Sequence, residues 1–132
     1  MIKEISIRTK NKIEFIDITA NIEEIVKNSK ISDGLCNIFI PHTTCAITIN
    51  ENRDPSVKSD IINELNEIVP YEGGYNHAEG NAAAHIKSSM MGFSESIFIE
   101  NASLVLGTWQ GIYLCEFDGP RTRKIIIKIS KD

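Results

Sequence analysis

Apolar residues recur along this chain with two different periods, and the switches between them outline its elements. Near the start Ile5 and Ile7 alternate with polar neighbours, and Lys12 to Thr19 has a similar mixed, β-branched character. This is the period-2 pattern of half-buried strands, and it predicts a first hairpin with its turn near Lys10-Asn11. From Ala20 to Ser29 the spacing changes to Ile22, Ile25 and Val26, with Glu23 and Glu24 early and Lys27 and Lys30 late. That spacing predicts a short amphipathic helix whose charges complement its dipole. Asp33-Gly34 punctuates the chain, and Leu35 to Ile40 and Thr44 to Asn50 read as two strands interrupted at Pro41-His42, since proline cannot donate to a ladder.

The clearest helix begins at Asp54-Pro55. Asp can accept from the free N–H groups of the first turn, and proline fits there because its missing N–H would be unpaired anyway. Val57, Ile61, Leu65 and Ile68 form its apolar stripe and Pro70 closes it. Tyr71 to Asn81 is a Gly-containing loop, and a further helix runs from about Ala82 to Met91, ended by Gly92. Strands follow at Ser96 to Ile99, Leu104 to Leu106, Ile112 to Phe117 and Lys124 to Ile129. The last two are expected to form a hairpin around Asp118-Gly119-Pro120. Strands, helices and more strands without regular βαβ alternation predict an α+β fold. It should have a largely antiparallel sheet or sandwich and two or three helices.

Length changes this picture little: 132 residues are enough for one core, so a single domain over 1–132 is expected. A net charge of −4, with no dense Lys/Arg block, argues against a nucleic-acid partner. No stretch approaches the roughly 20 apolar residues of a membrane helix, and Met1 to Lys12 is too polar for a signal peptide. A cytoplasmic protein with no membrane partner is expected. Cys36, Cys45 and Cys115 are odd in number and lack CxxC spacing, which suits reduced thiols. Alternation puts Cys45 with Ile47 and Ile49, and Cys115 with Tyr113 and Phe117, among core residues.

Four groups of residues could carry chemistry. His42 sits at the strand break, His77 in the loop and His85 one turn inside the following helix. Three imidazoles with an open fourth position form a catalytic zinc arrangement; the alternative is three separate histidines, hydrogen-bonded or exposed. Glu79-Gly80-Asn81 precedes the helix bearing His85, Lys87, Ser88 and Ser89, and a helix N-terminus can hold phosphate, although Asn81 could simply cap and Gly80 simply turn. Trp109 and Gln110 lie within Gly107-Thr108-Trp109-Gln110-Gly111, where the indole could stack on a ring or fill an interface. Glu116 falls on the Ile112/Leu114 face, and Arg121, Arg123 and Lys124 could neutralise phosphate or form a solvated turn.

Taken in order, these segments resemble the YjbQ-like family. The resemblance is carried by His42-Thr43-Thr44, Asn50-Glu51 with Asp54-Pro55, His77 with Glu79-Gly80-Asn81, His85-Ile86-Lys87-Ser88-Ser89, Gly107-Thr108-Trp109-Gln110-Gly111 and Glu116, from about Phe39 onward. It implies an antiparallel α+β fold, a homotrimer and a divalent cation, zinc or magnesium, on His42, His77 and His85. It also implies a secondary thiamine-phosphate synthase activity, a transferase joining a pyrimidine diphosphate ester to a thiazole phosphate with loss of pyrophosphate. Asn81, Lys87, Ser88, Trp109, Gln110 and Arg121 would then bind substrate, with Glu79 and Glu116 as the catalytic carboxylates, either of which would be the general base to metal-bound water in a hydrolase. Where many members carry Ser-Asp after Glu-Gly-Asn, this chain has Ala82-Ala83-Ala84. A metal-dependent hydrolase and a non-enzymatic trimer binding a small phosphorylated metabolite are the competing readings.

Overall fold

In a computed structural model, which describes residues 2–132, eleven elements follow one another. They are β1 (Ile2–Arg8), β2 (Glu14–Asp17), α1 (Thr19–Ser29), β3 (Gly34–Phe39), β4 (Cys45–Glu51) and α2 (Pro55–Ile68). After these come α3 (Ala82–Met91), β5 (Ser94–Glu100), β6 (Ser103–Leu104), β7 (Gln110–Glu116) and β8 (Thr122–Lys131). The strands form a five-stranded sheet in the order β1-β8-β3-β5-β6 and a three-stranded sheet in the order β2-β7-β4. Every pairing is antiparallel, so the fold is α+β with three helices, as expected.

The two expected hairpins do not form. β1 pairs with β8 while β2 pairs with β7, so the chain crosses from one sheet to the other at Lys10-Asn11. Among its other changes of sheet, it crosses by a short turn between β3 and β4 and at Asp118-Gly119-Pro120 between β7 and β8. The physical reason is that alternation states which residues face inward, but not which sheet supplies the neighbouring strand. The registers Glu14↔Glu116, Cys45↔Glu116 and Arg8↔Thr122 bring these three crossings to the same end of the sandwich.

Two cores hold these layers together. Between the sheets lie Cys36, Ile38, Cys45, Ile47, Ile97, Ile112, Leu114, Ile125 and Ile127, with Ile22 and Val26 of α1 closing one side. At about 1.5–3 kcal/mol for each fully buried aliphatic side chain, this is the main source of stability. The other face of the smaller sheet presents Phe15, Ala46, Tyr113, Cys115 and Phe117 to Leu65 of α2 and Ala84 of α3. Asp54 caps α2 by accepting from the Ser56 N–H at 2.9 Å, with Pro55 in its first turn. Alternation on β7 therefore sends Tyr113, Cys115 and Phe117 toward the helices and Ile112, Leu114 and Glu116 between the sheets. All three cysteines are free and buried; burial pushes the Cys36 thiol up to about 11 and Cys45 up to about 12. No helix among the described residues is long and apolar enough to cross a membrane.

Candidate functional site

The end of the sandwich where the chain changes sheets three times is built around one buried ion pair. Glu116 ends β7 at 0% exposure, and Arg123 enters β8 on the Ile125/Ile127 face at 3%. The Arg123 Nε donates to Glu116 Oε1 at 2.8 Å and an Nη2 donates to Oε2. The Thr9 hydroxyl adds a bond to Oε1 at 2.7 Å, and the Asp118 N–H one to Oε2 at 3.1 Å. Four donors saturate the carboxylate, so Glu116 offers no free lone pair for proton transfer. Burial opposes the Arg123 charge, yet the bonds and charge of Glu116 hold its pKa above the ordinary value. Arg123 also donates to the Thr44 carbonyl and hydroxyl at 3.1 and 2.8 Å, tying the β3–β4 crossing to the other two.

A second layer surrounds this pair. Asp118 accepts from the Asn81 side-chain amide and from Arg121, each at 2.8 Å, which docks the start of α3 on the β7–β8 crossing. The Lys12 ammonium lies 3.3 Å from the Tyr71 ring centroid, fastening the α2–α3 loop to the β1–β2 crossing. Because its amide is engaged with Asp118, Asn81 makes no side-chain cap on α3, and its buried Oδ1 has no partner among the described residues. The Ala84 and His85 N–H groups bond to the Asn81 carbonyl at 3.0 and 3.4 Å, which leaves those of Ala82 and Ala83 without an intrahelical acceptor. Beside this helix start lies a cleft of about 390 Å³ lined by Tyr71, Glu72, Tyr75, His77, Glu79 and Ala82.

The expected metal centre, zinc or magnesium on His42, His77 and His85, does not form. Among the described residues no three His, Cys, Asp or Glu side chains are grouped to hold an ion. The Nε2 lone pair of His42, which a metal would need, already accepts the Lys124 main-chain N–H at 2.8 Å. His77 and His85 instead pack edge to face on each other, with ring centroids 5.2 Å apart.

The other candidates separate. Lys87 is 1% exposed and points at Asn66 of α2, with its ammonium 5.9 Å from the Phe117 ring centroid. Ser88 is fully buried and its hydroxyl has no partner among the described residues. Trp109 and Gln110 lie at the opposite end of β7 from Glu116, roughly 20 Å away at about 3.4 Å per residue. There the Arg53 guanidinium covers Trp109 at 5.3 Å and Gln110 braces the turn by accepting from the Gly107 N–H. Thr9, Thr44 and Asp118, which frame the site, were not selected by their residue types, and Arg123 was selected as a cation for phosphate rather than as the partner of Glu116. One signal for Arg123 is present in the sequence: it falls in phase with Ile125, Ile127 and Ile129, on a face where a charge needs a partner.

A family model described as UPF0047 protein YjbQ-like matches residues 3–132. The chain belongs to this family. The UPF0047 protein YugU of Bacillus subtilis is 50% identical over 130 residues, covering 98% of this chain and 98% of YugU. The UPF0047 protein MJ1081 of Methanocaldococcus jannaschii is 49% identical over 132 residues, covering 100% and 96%. The crystal structure of an uncharacterized conserved YjbQ/UPF0047 family protein from Clostridium acetobutylicum superposes with a TM-score of 0.95 at 54% identity, covering 97% of this chain and 99% of that one.

Lys87 is a buried amine with no carboxylate partner among the described residues. Burial lowers its pKa from the ordinary 10.5. Between that lowered value and 10.5 the native state binds fewer protons than the unfolded chain, so stability rises with pH in that window. Below it the full penalty applies. Lys87→Met is therefore expected to unfold at an equal or higher urea concentration at pH 7, because the exposed Asn66 can turn to water. A large fall in the midpoint would mean that the ammonium is stabilising.

Proposed function

We propose that this chain binds a small phosphorylated metabolite at the end of the sandwich where the chain changes sheets. We further propose that it acts there as a thiamine-phosphate synthase-like transferase, joining a pyrimidine diphosphate ester to a thiazole phosphate. The observation that carries the reading is the uncapped start of α3, next to a cleft of phosphate-ester size that His77 and Glu79 line. Free N–H groups and the helix dipole suit an anion. In the reaction the carbon–oxygen bond to pyrophosphate breaks as the bond to the thiazole ring forms, and pyrophosphate leaves with the electron pair. What the site must supply is positive potential for that departing charge. The α3 N–H groups, Arg121 and the His77–His85 pair are the groups we assign to it, with Asn81 placing the helix and Glu79, like Glu72, a carboxylate on the cleft wall.

Lys87 and Ser88 would act behind α3, holding it on α2 and the smaller sheet. Trp109 and Gln110 would reach a ligand only from another copy, which fits the homotrimer that we also propose. Phe39, Phe98 and Val105, each about half exposed or more, would be covered in that assembly. The saturation of Glu116 favours one second reading, a non-enzymatic trimer that binds the same class of ligand, because the site then lacks one of its two expected catalytic carboxylates.

The test combines three measurements on one preparation: calorimetry with inorganic pyrophosphate, thiamine-phosphate formation from the two precursors, and mass by light scattering. Arg121→Ala is expected to weaken pyrophosphate binding about tenfold, the size of one charge-assisted bond. Binding without turnover would select the second reading. No binding by the wild type would overturn the phosphate site, and a monomer mass would overturn the trimer.

A further inference from the structure

His42 leaves the β3–β4 crossing half-buried, and its Nε2 accepts the Lys124 main-chain N–H at 2.8 Å. An imidazole nitrogen that accepts carries no proton, so in the neutral ring the proton is on Nδ1. Burial lowers the His42 pKa, and the Arg123 charge lowers it further. Protonating Nε2 would also break the Lys124 bond. The charged groups facing it are Arg123 and Lys124 from β8 and Glu116 from β7. Of these only Glu116 favours a cation, and its four acceptor positions are occupied. The Lys124 ammonium is turned to Glu4, 3.5 Å away. Among the described residues nothing accepts from Nδ1–H.

We infer that His42 is a ligand-binding residue, a neutral Nδ1–H donor to an oxygen of an anionic group, and neither a base nor a cation. The inference rests on the reading that this end of the sandwich takes a phosphorylated metabolite. A tautomer fixed by the main chain presents its donor before the ligand arrives, so nothing has to reorganise when charge appears. It cannot act as a general acid, because losing the Nδ1 proton would leave an imidazolate.

The wild-type protein carries the test. Its imidazole nitrogen-15 spectrum, with the His42 signals assigned by comparison with His42→Gln, is expected to show protonated Nδ1 and bare Nε2 at neutral pH. Added inorganic pyrophosphate is expected to shift the His42 Nδ1 signal. In calorimetry His42→Gln, which can still accept from Lys124, is expected to bind pyrophosphate about ten- to a hundredfold more weakly. His42→Asn, whose amide N–H can stand near the Nδ1 position, should retain more. An Nε2–H tautomer or an imidazolium at neutral pH overturns the inference, whether or not the variants fold. So does binding to wild type with no shift at Nδ1 and no loss in His42→Gln, an outcome that leaves the phosphate site standing. Absence of pyrophosphate binding by wild type overturns the phosphate site and the donor role together.

Discussion

Glu116→Ala is expected to cost about 3–5 kcal/mol of folding stability, the range for removing one partner of a buried ion pair. The reason lies in what remains. Arg123 is 3% exposed, and its guanidinium would keep only the Thr44 contacts after losing both carboxylate oxygens. Thr9 and the Asp118 N–H would lose their acceptor as well. Because these groups come from the three sheet-crossing turns at one end of the sandwich, the loss should appear as one cooperative shift in urea denaturation. Replacing both partners with apolar residues, Glu116→Leu with Arg123→Met, should recover most of it, since no buried charge is then left alone. A loss below about 1 kcal/mol for Glu116→Ala would mean that water reaches the pair as it reaches surface pairs.

Gly119→Ala should destabilise by about 1–3 kcal/mol, the usual cost of forcing a methyl group into a packed position, and should also weaken the proposed phosphate site. A Cβ there would stand 2.2 Å from the Asn11 carbonyl oxygen, 2.8 Å from the Thr9 hydroxyl and 2.9 Å from Glu116 Cγ. The first is main chain and cannot swing away, so the β1–β2 and β7–β8 crossings must part. That separation strains the Gly119 N–H bond to the Lys12 carbonyl, now 2.9 Å, and the Thr9 bond to Glu116. Denaturation and pyrophosphate calorimetry on the same variant check both effects. Wild-type values in both would show that the turn has slack that the close approach does not suggest.

Much of this architecture is legible in the sequence because it is local. Asp54-Pro55 starts α2, and Asp54 caps it by accepting from Ser56. Helices expected at Ala20 to Ser29 and Ala82 to Met91 occur at Thr19–Ser29 and Ala82–Met91. Propensity, capping and periodicity act over a few residues, so they survive without knowledge of the rest. The inward faces of β4 and β7 follow from alternation for the same reason. The family resemblance, carried by short ordered segments, likewise rests on residues close in sequence.

Partnership is what only the tertiary structure decided. Arg123 and Glu116 are seven residues apart and look like two sides of a hairpin, yet they belong to different sheets and meet across the core. His42 looked free to hold a metal until a main-chain N–H from residue 124 occupied its lone pair. Asn81 looked like a helix cap until Asp118 drew its amide away. In each case the deciding contact spans 7 to 82 positions, and a side chain's chemistry follows from which lone pairs and protons its distant neighbours have already taken.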